Sequence, residues 1–205
     1  MEQELFPAPP TRKPWDERLA RIISDVGGPP VLTLLALGLI AIYVDDPLTW
    51  LWLLLVLAIG MLLPLSYIIW LVRTGRVTDF DLSDRRQRTG PYLVSLTCVI
   101  AAWLVLWLGQ APTLLIVLVG AQILQTLLML VITLVWKISI HGATSAAVAT
   151  LAWSLVGLSA LPLGLSVPVI AWSRVRLKRH TPMQTIAGAV VGCLGMLLSL
   201  RLAGL

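Results

Sequence analysis

The stretch Leu48–Val72 reads LTWLWLLLVLAIGMLLPLSYIIWLV and holds no charged residue from end to end. In hydrocarbon every backbone N–H and C=O has to pair within the segment, and ~20 apolar residues of helix cross the core, so this run is read as a transmembrane helix. Working outward, comparable runs occupy Pro29–Val44 before it and Pro91–Gly109, Ala111–Trp136, Gly142–Leu158, Leu161–Trp172 and Thr181–Leu205 after it. The fifth and sixth runs in chain order are short. Gly142–Trp172 is therefore read as two crossings whose ends extend into polar flanks, in preference to one long tilted helix.

Composition agrees. The chain is 58% hydrophobic and 12% charged, against about 25% charged in an ordinary soluble domain, which excludes a water-soluble fold. The fold class expected is all-α: a polytopic membrane helical bundle of six to seven transmembrane helices, forming one domain over residues 29–205. Residues 1–28 form a polar N-terminal segment with Glu2, Glu4, Asp16 and Glu17, unlike a cleaved signal peptide. Within it Trp15, Leu19, Ile22, Ile23 and Val26 recur at helical spacing between Asp16, Glu17, Arg18 and Arg21. That pattern suits an amphipathic helix lying on the membrane surface, and equally a helix packed against the bundle. Cys98 and Cys193 each sit inside an apolar run, at no metal-ligand spacing, and are read as inert thiols.

With seven spans, residues 1–28, 73–90, 137–141 and 173–180 share one face, and fourteen of the fifteen basic residues lie there, all but Arg201. The opposite turns carry Asp45 and Asp46 and no Lys or Arg. The positive-inside rule then makes the N-terminus and the basic face cytoplasmic, in a prokaryotic cell membrane. Trp70, Trp136 and Trp172 near one set of span ends, and Trp50, Trp52 and Trp107 near the other, suit interfacial belts.

Three polar clusters interrupt the apolar runs, and the span count brings all of them to that basic face. They are VTDFDLSDRRQRTGP (residues 77–91), WKISIH (136–141) and SRVRLKRHTPMQ (173–184). They contain both histidines. No acidic residue follows Asp84, whereas nine Lys and Arg residues do. A cavity built from these clusters is cationic and suits an anion, above all phosphate, which Arg grips as a fork and Lys as a point charge. It suits a metal poorly, because hard cations want carboxylates. Each cluster also has a purely structural use: a solvated loop for Arg85, Arg86 and Arg88, snorkelling cations for Arg174, Arg176, Lys178 and Arg179, and an interhelical hydrogen bond for His141.

Taken together the clusters resemble the type 2 phosphatidate phosphatase and haloperoxidase superfamily. Its third motif is Ser-Arg, five residues, His, three residues, Asp; here Ser173, Arg174 and His180 match and Gln184 stands at the Asp position. Its second motif, Pro-Ser-Gly-His, is similar to Ile138-Ser139-Ile140-His141. Its first, Lys, six residues, Arg-Pro, is met only by Arg88, with Asp81 at the Lys position and Thr89 at the Pro position. WKIS before the second-motif His and HTP after the third-motif His are similar to a divergent branch of that superfamily.

The resemblance implies a metal-independent, cofactor-free lipid phosphate phosphatase. His180 would attack phosphorus and form a phosphohistidine, and His141 would protonate the leaving oxygen. Arg174, Ser139 and Arg88 would hold the non-bridging oxygens, with Arg85 beside them, and Lys137 would stand in for the missing motif Lys. Gln184 would orient His180 without offsetting its charge, which leaves Asp79, Asp81 or Asp84 as the carboxylate expected to reach His180. The recurrence of His180, Gln184, Gly188 and Gly192, facing a fifth span that begins Gly142, Ala143, Ser145, Ala146, Ala147, predicts close packing of the two His-bearing spans.

The substrate expected is a polyprenyl phosphate or diphosphate, or phosphatidate, met from the inner leaflet. The partners are that lipid and the surrounding membrane lipids, with no nucleic acid. Two other readings compete: a non-catalytic membrane subunit or lipid-binding scaffold, favoured by the altered motifs, and an aspartate-rich membrane prenyltransferase, disfavoured because only one loop on that face bears acids.

Overall fold

The computed structural model describes residues 14–44, 46–82 and 84–205; Asp45 and the first thirteen residues, including Glu2 and Glu4, lie outside the described residues. The chain is an all-α polytopic membrane bundle. Its helices are α1 (Trp15–Val26), α2 (Pro29–Val44), α3 (Pro47–Leu55), α4 (Leu63–Arg73), α5 (Thr89–Leu108), α6 (Thr113–Val135), α7 (Ile140–Val156), α8 (Leu161–Arg176) and α9 (Pro182–Leu202). Every apolar run of the sequence corresponds to one of these rods.

A π-helical segment, Val56–Leu62, joins α3 and α4 into one rod from Pro47 to Arg73. Pro64 explains it. Proline lacks the N–H that the carbonyl four residues earlier needs, and its ring crowds that carbonyl, so the ladder widens by a residue just upstream. Asp46 starts the rod by accepting from Leu48 N–H. It ends at Gly75, whose φ of 69° lets Arg76 N–H return to the Leu71 carbonyl.

The two short runs resolve as a helical hairpin. Gly157, with φ 58°, reverses the chain after α7, and Val148 of α7 then packs with Ile170 of α8 and Leu32 of α2. One straight helix would hold residues 148 and 170 about 33 Å apart at 1.5 Å per residue. Their contact shows that α8 runs back along α7.

α7 and α9 form the closest pair. A Cβ at Gly192 or Gly188 would collide with the carbonyls of Ala143 and Ser139, and one at Gly142 would lie 2.7 Å from the Thr185 carbonyl. The small-residue packing expected of the His-bearing spans is present. Nine of the seventeen residues of α7 are buried, among them Ala143, Ala147 and Ala152. Leucines elsewhere face outward, as at Leu124, Leu158 and Leu194, a surface tolerable only in lipid.

α1 packs along α8, burying Ala20 and Ser24, and meets α2 at a 44° bend. Trp15, Leu19, Ile22 and Val26 remain exposed on its other side. The helix is thus seated on the bundle through Ala20 and Ser24, while its apolar stripe faces away from the protein.

Candidate functional site

The three polar clusters converge at one end of the bundle, and each contact has an identifiable donor and acceptor. Ser139 N–H donates to the Gln184 carbonyl at 3.2 Å, tying the α6–α7 link to α9. Arg88 donates through Nε to the Leu82 carbonyl at 2.8 Å and through Nη1 to the Ile138 carbonyl at 3.1 Å. Arg174 donates through Nη1 to Ser24 Oγ at 2.7 Å and to both oxygens of Asp81 at 3.4 and 3.3 Å. Arg179 pairs with Asp79 at 3.5 Å and with Asp81 at 3.4 Å.

His180 sits on the turn between α8 and α9, where Lys178 takes a φ of 56° and the N–H groups of Arg179 and His180 both return to the Arg174 carbonyl. Its Nδ1 lies 3.1 Å from Gln184 Oε1. The same oxygen accepts from Thr181 N–H at 3.1 Å, within a capping box whose other half is Thr181 Oγ1 accepting from Gln184 N–H. A backbone N–H can only donate, so that amide atom is an oxygen and the ring nitrogen facing it carries the hydrogen. Nε2 of His180 is left with its lone pair. Burial, together with the charges of Arg88, Lys137 and Arg174, pushes the imidazole down to about 3, so the ring is neutral at physiological pH.

His141 lies in the first turn of α7 and is buried, with Arg174, Asp81, Arg88 and the Ser24 carbonyl as its surroundings. The two imidazoles therefore share Arg88 and Arg174 as neighbours. Among the described residues two buried nitrogens here have no protein partner, His141 Nδ1 and Arg174 Nε. Lys137 is half-buried beside them, and burial with Arg88, Arg174 and Arg179 lowers its ammonium from the usual lysine range. Burial works to raise the Asp81 carboxyl, but Arg174, His141 and Arg179 outweigh it and hold the group below the ordinary carboxylate range.

A cavity of about 350 Å³ opens from this cluster between α1, α2, α4 and α5. Asp81, Arg88 and His141 are among its polar lining residues, and Leu65, Ile68 and Pro91 among its apolar ones. Among the described residues its lining takes in Asp81, Arg88 and His141 but not His180, Arg174 or Lys137.

Several residues do other work than the sequence predicts. Ser139 caps α7 by accepting from Gly142 N–H at 3.2 Å and is fully buried. Arg85 donates to the Leu134 carbonyl at 2.9 Å, where the end of α6 presents unpaired acceptors. Asp84 caps the short helix Arg85–Arg88 by accepting from Arg86 N–H. Asp81, expected near His180, instead pairs with Arg174 and Arg179 and faces His141, while the ring partner of His180 is Gln184. Sequence reasoning missed Ser24, and it named Arg179 only as a snorkelling cation, not as a partner of Asp79 and Asp81. Ser24 carried one usable signal: it falls one helical turn after Ala20, on the small-residue face of an amphipathic helix.

The chain matches no family model, no curated protein and no solved structure.

Proposed function

We propose that this protein is an integral-membrane phosphatase acting on lipid phosphates, with His180 as the nucleophile. The observation that carries the reading is the state of that ring: neutral, fixed through Nδ1 to a backbone-anchored oxygen, and set among Arg88, Lys137 and Arg174. A neutral imidazole with a free Nε2 is a nucleophile, and surrounding cations draw a phosphoryl group to it. In the reaction implied by the family resemblance, Nε2 bonds to phosphorus as the bond to the lipid oxygen breaks. His141 gives that oxygen a proton. Water then cleaves the phosphohistidine, releasing inorganic phosphate and restoring both rings. Arg174 and Lys137 hold the non-bridging oxygens, and Arg88 contributes its edge toward the cavity while bracing Leu82 and Ile138.

The apolar residues that share the cavity lining with Arg88 and His141 favour a substrate whose tail remains in the bilayer, a polyprenyl phosphate or diphosphate or phosphatidate. The basic face is assigned to the cytoplasm by its charge. Phosphate release from a panel of such lipids in mixed micelles tests the proposal: loss of release in His180→Ala, with the bundle intact by size exclusion, supports it. Release unaffected by His180→Ala overturns it.

A second reading, a non-catalytic lipid-binding subunit, draws on the commitment of Arg174 to Asp81. Lipid binding with no phosphate release from any substrate would select it. The prenyltransferase reading loses ground, since Asp79 and Asp81 are held by arginines, where two metal-binding carboxylates would need to be free.

A further inference from the structure

Among the described residues Asp81 is the carboxylate that pairs with Arg174, and it lines the cavity. Around it the donors are incompletely used. Arg174 is 2% exposed and its Nε has no partner, His141 Nδ1 has none, and the Nη1 contacts to Asp81 are long, at 3.3 and 3.4 Å. An arginine paired with its final partner at such depth ordinarily makes short, forked bonds. Asp81 thus borders the cavity beside one unsatisfied donor, Arg174 Nε, and one unpartnered ring acceptor, His141 Nδ1, a polar capacity that the carboxylate itself does not use.

We propose that Asp81 is an internal anion that holds the phosphate site in the resting protein and is displaced when a phosphoryl group binds Arg174. This rests on the reading of the site as a phosphate site and adds its regulation. A tetrahedral phosphate offers oxygens to Arg174 Nε and Nη1 together, and a protonated phosphate can donate its O–H to the vacant Nδ1 of His141, whose other nitrogen faces the Ser24 carbonyl. Displaced, Asp81 keeps a partner in Arg179, which already reaches both Asp79 and Asp81. The loop bearing Asp81 allows this. It is fastened on one side by the Arg88 bond to the Leu82 carbonyl, and Leu82 itself sits at a φ of 49°, a conformation an L-residue holds at some cost. Phosphate affinity is then reduced by the fraction of time that Asp81 occupies the site, so a site filled nine-tenths of the time binds about tenfold more weakly than an empty one.

The test is inorganic phosphate titrated calorimetrically into the detergent-solubilised full chain, followed by a short-chain phosphatidate carried in the micelle. Asp81→Asn is expected to bind either ligand about tenfold more tightly than wild type, and Asp79→Asn, which removes the same charge from the same loop but not from Arg174, less than threefold. A gain for inorganic phosphate as well as the lipid shows that the shared phosphoryl group is what Asp81 opposes; a gain for the lipid alone shows that the headgroup arriving along the cavity displaces it. Equal gains in the two variants, or no gain in Asp81→Asn while Arg174→Gln abolishes wild-type binding, overturn the displacement and leave the phosphate site standing. Absence of binding in every variant overturns both. Should Asp81→Asn not fold, the wild-type chain still decides: saturating phosphate is expected to speed amide hydrogen exchange over residues 77–82, and unchanged or slowed exchange there overturns the proposal.

Discussion

The seam between α7 and α9 and the flank formed by the α3–α4 rod are built on opposite plans. At the seam Gly142, Gly188 and Gly192 let main chain lie against main chain. In the rod the π segment buries no residue and α4 buries only Pro64 and Leu71. In lipid, burial of apolar surface gives helices no reason to associate, so close approach of small residues holds a pair together. The seam is accordingly the rigid part, carrying His141 on one helix and His180 at the head of the other. The rod meets the bundle through side chains, and Leu65 and Ile68 on it line the cavity.

The largest test of this contrast is steric. Gly192→Val places a branched side chain against the Ala143 carbonyl and is expected to cost ~3 kcal/mol or more, seen as loss of folded protein or a steep fall in Tm in detergent. Ile68→Ala on the opposite wall is expected to cost much less, under about 1.5 kcal/mol, because the site can relax toward the cavity. Equal losses would erase the distinction between the two regions.

Next comes the fixing of His180. Gln184→Ala removes the acceptor shared by the ring and Thr181 N–H, with an expected cost of about 1 kcal/mol in stability from the lost capping box and about tenfold in phosphate release from the lost orientation. Unchanged release would mean the ring is held by burial alone.

Protonation sharpens the same point. His180 is pushed down to about 3 in the folded protein, whereas an unfolded chain protonates its histidines near pH 6.5. Between those values the unfolded state binds the extra proton, so His180 makes stability fall as pH drops below about 6.5. Asp81, held below its ordinary range, adds a loss lower still. Thermal unfolding from pH 7.5 to 5 is expected to show the first slope, flattened in His180→Gln. The smallest effect belongs to Arg85→Gln, which gives up one bond at the end of α6 and is expected to cost under about 1 kcal/mol.

The bundle was legible because hydrocarbon leaves the backbone one solution: each uncharged run had to be a helix, and even the doubtful stretch 142–172 resolved into the favoured hairpin. The gathering of three clusters at one end followed from counting spans. The division of labour within the cluster was not legible. Arg85, Arg88 and Arg174 look alike in sequence, yet one closes a helix end, one staples two carbonyls and one faces Asp81. Asp84 and Ser139 are residue types equally suited to a cap and to a binding role, and both became caps. Such uses depend on which carbonyl or N–H lies within 3 Å, and residue spacing does not encode that. Gln184 is the exception. Four residues after His180 on a helix start, its reach back to the ring follows from helical geometry.

Backbone contact at the α7–α9 seam also bears on how the protein meets membranes of different thickness. Side-chain interfaces can slide past one another, but a carbonyl seated where a neighbouring helix lacks a Cβ acts as a detent. A bilayer that thins or thickens would tilt this pair as a unit, and the spacing of the two imidazoles would travel with it unchanged.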